Sequence, residues 1–176
     1  LKKEIKIARI EANDNYLFLK SLKGHFEELC RPGREFESLV ELFSPIMYII
    51  LLIWINSEYY KTASRLVVLI REICNAIITQ ANYFVNGKAL LDEIQSKEDV
   101  ENACKKLETT IDVCAKFKET YYDYKSMSEN QWKFPQNVLF IRLDSFLERC
   151  HDISSISKTI VQFNKLDSIK IGCTKG

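Results

Sequence analysis

The sequence predicts an all-α fold, an elongated antiparallel helical bundle of about five segments that forms part of a rod-like stack. Three observations point there. Only 5 Gly and 3 Pro punctuate 176 residues, too few turn formers for a sandwich of short strands. Apolar residues recur at three- and four-residue steps along most of the chain, the period of a helix with one buried face. Hydrophobic residues make up 47%, enough to build a core in a chain whose folding removes roughly two-thirds of its unfolded surface from water.

The first segment runs from Leu1 to about Cys30, with Ile5, Ala8, Ala12, Tyr16, Leu19, Leu22, Phe26 and Leu29 as its stripe. The polar cluster Asn13-Asp14-Asn15 works to weaken or break it, because short polar side chains compete for backbone groups, but the segment is read as one helix. Arg31-Pro32-Gly33-Arg34 forces a reversal through the fixed φ of Pro and the conformational freedom of Gly. The second segment, Phe36 to Ile55, holds ten successive apolar residues from Ile46 onward. Ser44 and Pro45 read as an N-cap and first helical position. A bilayer span needs about 20 apolar residues, so this run reads as a core helix covered on every side and not as a membrane segment.

Asn56 to Thr62 makes a turn, and Leu66, Leu69, Ile70, Ile73, Ile77, Ala81 and Phe84 mark a third helix that Asn86-Gly87 ends. A short helical piece at Ala89–Ile94 precedes Ser96-Lys97-Glu98-Asp99, a capping box with Asp for the usual Glu. The long helix it opens carries Val100, Ala103, Leu107, Ile111, Cys114, Phe117, Tyr121 and Tyr124. Met127 to Gln136 is aperiodic and contains Pro135, so it reads as a loop pinned by Trp132 and Phe134. The last helix, about Asn137 to Phe163, carries Leu139, Leu143, Phe146, Leu147, Cys150, Ile153, Ile156 and Ile160. Short connections imply antiparallel neighbours, and helices of this length imply a body of roughly 35 to 40 Å at 1.5 Å per residue. Residues 1–176 are thus expected to form one helical segment, as a single bundle or two abutting ones.

Composition excludes several functions. With 25 basic against 24 acidic residues, the chain has no excess positive charge to hold a nucleic acid. The six cysteines are dispersed without close pairs, which spells neither a zinc knuckle nor a redox motif and leaves reduced, partly buried thiols. The opening LKKEIKIARIEA lacks the apolar run of a secretory signal, predicting a cytoplasmic protein. The five glycines are scattered, whereas a phosphate loop needs them clustered before a Lys-Ser/Thr pair. Gly172-Cys173-Thr174-Lys175-Gly176 has the composition without the spacing.

Of two histidines, His151 adjoins Cys150, but consecutive helix residues point about 100° apart and cannot act as nucleophile and base. Asp144, Glu148 and Asp152 stand at i, i+4 and i+8. Their mutual repulsion costs a few tenths of a kcal/mol per pair, to be relieved by Arg142 and Arg149 or by another subunit. One helix alone supplies no second set of metal ligands. The chain is therefore expected to hold no catalytic, cofactor or metal site.

Three stretches carry a family resemblance: EANDNYLFLKSL (Glu11–Leu22), LIWINSEYY (Leu52–Tyr60) followed by Arg65 and Leu66, and FIRLDSFLERCHDI (Phe140–Ile153). In order and spacing they resemble the N-terminal tail, or stem, of dynein heavy chains, particularly the axonemal, ciliary type. The likeness continues through Phe163, Leu166, Ile169, Ile171, Gly172 and Thr174-Lys175-Gly176, departing at Cys173 where the family pattern has a second Gly. The resemblance implies a mechanical segment of a minus-end-directed microtubule motor. Its ATP would be bound and hydrolysed in modules outside this segment. Its partners would be other heavy chains and intermediate and light chains, with microtubules reached only indirectly, no nucleic acid and no membrane, in the cytoskeleton of the ciliary axoneme. Contact surfaces are then expected at Tyr59 and Tyr60, at the loop bearing Trp132 and Phe134, and on the Asp144/Glu148/Asp152 ridge. A stand-alone helical adaptor module is the alternative.

Overall fold

The computed structural model describes residues 1–86, 97–127 and 136–172. Among these every regular element is helical and none is a strand, so the all-α class is as the periodicity predicts. Helix α1 (Lys2–Asp14) passes through a π-helical turn, Asn15–Leu19, into α2 (Lys20–Leu29). A 3-10 turn at Glu37–Leu39 leads into α3 (Val40–Asn56), followed by α4 (Ala63–Val85), α5 (Lys97–Met127), the one-turn α6 (Gln136–Leu139) and α7 (Ile141–Gly172). At 1.5 Å per residue α5 and α7 are each about 45 to 50 Å long, longer than the expected body.

The polar cluster at residues 13–15 does not break the first helix; it widens one turn of it. That turn shifts the helical phase by one residue, which moves the inward face from the expected Ala12 and Tyr16 to Asp14, with Ile10 and Glu11 half-buried beside it. Ile5, Ile7 and Tyr16 are consequently exposed, and the apolar stripe becomes core only from Leu22 to Leu29. Of α1 only Asp14 is buried.

The reversal at 31–34 forms as predicted. Gly33 takes φ +75°, a conformation that a side chain would strain. Arg34 crosses the turn, with its guanidinium on the Glu28 carboxylate at 3.3 Å and donating to the Ser38 carbonyl at 3.2 Å. Phe36 stacks on Phe84 of α4 at 4.9 Å, so the turn is anchored to the end of α4.

Two expectations for the second segment fail. Helix α3 begins at Val40, which places Pro45 inside it. There the ring nitrogen cannot donate to the carbonyl one turn back. Ser44 is therefore not a cap; its hydroxyl lies 2.7 Å from the Tyr124 hydroxyl of α5 and ties two helices together. Nor is α3 covered all round. Leu42, Phe43, Ile46, Met47, Ile49, Ile50 and Ile53 are buried, whereas Tyr48 and Ile55 face out. By length and composition 37–56 could cross a membrane, yet its inward residues share one core cluster with Leu66, Ile70, Ile73 and Ile77 of α4, Leu107, Phe117 and Tyr121 of α5, and Leu143 and Phe146 of α7. Each fully buried aliphatic or aromatic side chain here contributes about 1.5–3 kcal/mol relative to exposure.

Helix α4 ends as read from the sequence, with Asn86 at φ +46°, ψ +60°. Helix α5 buries Val100, Ala103, Leu107, Cys114, Phe117 and Tyr121 of its expected stripe. Helix α7 differs from expectation in both bounds. A bend at Phe140 separates it from α6, and it continues to Gly172. The expected stripe is buried at Leu139, Leu143, Phe146 and Cys150, whereas beyond them Ile153, Ile156 and Phe163 are exposed. Antiparallel pairing of α5 and α7 is fixed by two ion pairs, Lys118–Asp144 and Lys158–Glu108, each at 2.6 Å. Val100, Ala103 and Cys104 are buried, yet they lie outside the main core cluster. The α5–α7 hairpin thus runs on past the core. The expected piece at Ala89–Ile94, the Ser96 cap and the Cys173–Gly176 end lie outside the described residues.

Candidate contact surfaces

Tyr59 and Tyr60 sit on the α3–α4 turn, where the sequence places Asn56, Ser57 and Thr62 between two apolar helices. Both are half-buried and engaged within their own fold. The Asp14 carboxylate, 4% exposed, is the centre. It accepts the Ser57 hydroxyl at 2.5 Å and the Tyr59 amide at 2.8 Å. Ser57 Oγ in turn accepts the Tyr60 amide at 2.7 Å. The Tyr60 hydroxyl donates to Asn15 Oδ1, and the Arg65 guanidinium donates to the Tyr59 carbonyl. Arg65 also lies over the Tyr59 ring, 3.7 Å from its centroid, and the two tyrosine rings meet edge to face at 5.0 Å.

Burial works to raise the Asp14 pKa, but the hydrogen bonds from Ser57, the Tyr59 amide, Asn13 and the Glu58 amide outweigh it and hold the carboxyl below its usual 3.8. The group is therefore ionised at neutral pH, and each hydrogen bond to it is of the charge-assisted kind, about 1.5–3 kcal/mol. Tyr60 is shifted the other way, chiefly by burial and then by the nearby Glu11 carboxylate, so its hydroxyl stays a donor.

The acidic ridge is arranged differently from its sequence pattern. Asp144 is half-buried and paired with Lys118 of α5, not with a neighbour on its own helix. Arg142 turns to α4, where it donates to Asn75 Oδ1 at 3.3 Å. Glu148 and Asp152 are exposed. The structure does not bring the ridge together with the tyrosine turn into one surface. Trp132 and Phe134 lie outside the described residues.

Sequence reasoning missed Asp14, Arg65 and Lys118. Asp14 was concealed by the π turn, whose extra residue no fixed helical period anticipates. An open groove of about 840 Å³ was also missed, lying between the 31–36 reversal and α4, with Phe26, Pro32, Phe36, Tyr83 and Phe84 among its walls. Among the described residues no group of three or more His, Cys, Asp or Glu is placed to hold a metal ion. Cys74, Cys104, Cys114 and Cys150 are buried free thiols. Burial pushes Cys74 and Cys114 up to about 12, with neighbouring groups adding to it, the opposite of an activated nucleophile.

Fold and surfaces together define a helical bundle with polar ties between its elements and apolar residues left open on its helices. Residues 1–176 match the family described as dynein heavy chain, N-terminal region 1, and the chain belongs to that family. It is 43% identical, over 99% of its length, to the dynein beta chain of the flagellar outer arm from Chlamydomonas reinhardtii. It is 33% identical over 98% to dynein axonemal heavy chain 11 from Sus scrofa, and 33% identical over its whole length to the ciliary dynein beta chain of Heliocidaris crassispina. The chain spans about 4% of the length of each of these relatives.

Proposed function

We propose that this chain is a force-carrying and assembly segment of a dynein heavy-chain tail, working in the cytoskeleton of the ciliary axoneme. Its helices would pass force along a stack of helical bundles, and its open faces would meet other heavy chains and intermediate and light chains. ATP binding and hydrolysis, and contact with the microtubule, would belong to parts of the parent heavy chain outside this segment, which itself takes no cofactor. The names of the relatives support the setting, being flagellar, axonemal and ciliary.

One observation carries the mechanical reading. Two long helices leave the core at separate places with apolar residues uncovered: α1 at the α3–α4 turn, exposing Ile5 and Ile7, and α7 beyond Cys150, exposing Ile153, Ile156 and Phe163. Such faces on a polar surface are the mark of further packing. Size-exclusion chromatography with light scattering on the isolated chain tests this. A scaffold segment self-associates through these faces, and polar replacement of Ile156 and Phe163 reduces the association. A stable monomer at all concentrations would favour the stand-alone adaptor instead.

A further inference from the structure

We propose that the π turn and the Asp14 cluster form a joint that sets the direction of helix α1 relative to the bundle. The inference does not rest on the tail assignment; it concerns how one arm of this fold is held. Up to Arg9, every residue of the chain is exposed, and Asp14 is the only buried residue of α1. Apolar packing of α1 itself is thus limited to the half-buried Ile10, while Phe18 and Leu19 of the π turn rest on the core at its base.

What ties the end of α1 to the α3–α4 turn is polar and local. Asp14 takes two donors from the α3–α4 turn, and Asn15 takes a third from Tyr60. All three converge at the junction of α1 with the π turn, a wider turn that occurs mainly as a single-turn insertion and often at functional positions. The extra residue is what rotates Asp14 inward; with a regular α turn there, Asn15 would occupy the inward phase. The π turn and the buried carboxylate thus require each other. Arg65 braces the receiving side by holding the Tyr59 carbonyl and covering the Tyr59 ring. Force applied to α1 then enters α3 and α4 directly through the cluster, beside its route along α2.

Single-molecule energy transfer in the full 176-residue chain tests the joint, with dyes on unnatural amino acids at the exposed positions Lys6 and Val68. The wild type should give one narrow transfer distribution. Asp14→Ala should shift and broaden it, and Tyr60→Phe should broaden it to a smaller degree, while circular dichroism shows undiminished helix. Wild-type distributions in both variants would show that helix continuity alone aims the arm and would overturn the proposal. Should Asp14→Ala fail to fold, Tyr60→Phe decides: broadening supports the joint and an unchanged distribution refutes it.

Discussion

Helix α3 offers a controlled comparison between two isoleucines on the same helix. Ile50 is fully buried in the core cluster, whereas Ile55 is 54% exposed. Ile50→Ala removes three carbons from a close-packed site, losing their transfer free energy and leaving a cavity that the neighbouring helices fill only in part, at a cost of about 2–5 kcal/mol. Ile55→Ala removes the same atoms mostly from water. It regains some helix propensity, which is up to about 0.7 kcal/mol better for Ala than for an ordinary residue, so the net change stays within about 0.5 kcal/mol. Urea unfolding followed by far-UV circular dichroism, with both variants analysed at a common slope, measures the difference. Equal losses would refute the placement of α3 as a helix with one core face and one open face; a negligible loss at Ile50 would remove α3 from the core altogether.

Asp14 makes stability acid-sensitive: its folded pKa lies below the unfolded value of 3.8, so its contribution is present above that value and lost as pH falls through the folded pKa. Asp14→Asn should therefore flatten the acid limb of stability against pH in urea titrations below about pH 4. Gly24 sits in α2 with nothing within 4 Å of the position that an added methyl group would take, and Gly24→Ala should stabilise the chain by about 0.5–1 kcal/mol in thermal unfolding. Lys118→Ala should cost more than removal of the exposed i,i+3 partner Lys116, because it leaves the half-buried Asp144 without its partner across two helices; chemical denaturation of the two variants compares them. Native thiol labelling read by peptide mass spectrometry should modify exposed Cys30 well before Cys74, Cys114 and Cys150, which react only on unfolding.

Helix class, the α4 stop at Asn86 and the turn at Gly33 were legible because each rests on local chemistry: periodicity, a left-handed cap, a positive φ. The core stripe of α5 was legible for the same reason, since neighbours press on it along most of its length. What escaped the sequence depends on partners elsewhere in the chain. Ser44-Pro45 has the local signature of a helix start, but apolar contacts of Leu42 and Phe43 upstream outweigh it and carry the helix past the proline. The stripe of α7 keeps its period beyond Cys150 although the core does not follow; periodicity marks a face fit for burial and not whether this chain buries it. Tyr59 and Tyr60 look like surface aromatics in sequence, and only the inward turn of Asp14 shows that they close their own bundle end. The acidic ridge likewise loses Asp144 to Lys118, 26 positions away in the chain.

Cross-linking mass spectrometry on intact ciliary dynein complexes tests the scaffold role most directly. Lys2 and Lys6 on α1 and Lys158 on α7 report on the two helices whose apolar faces stand open. A scaffold segment yields cross-links from these lysines to neighbouring segments of the heavy chain or to other dynein subunits. Cross-links confined to residues within this one segment would contradict that role.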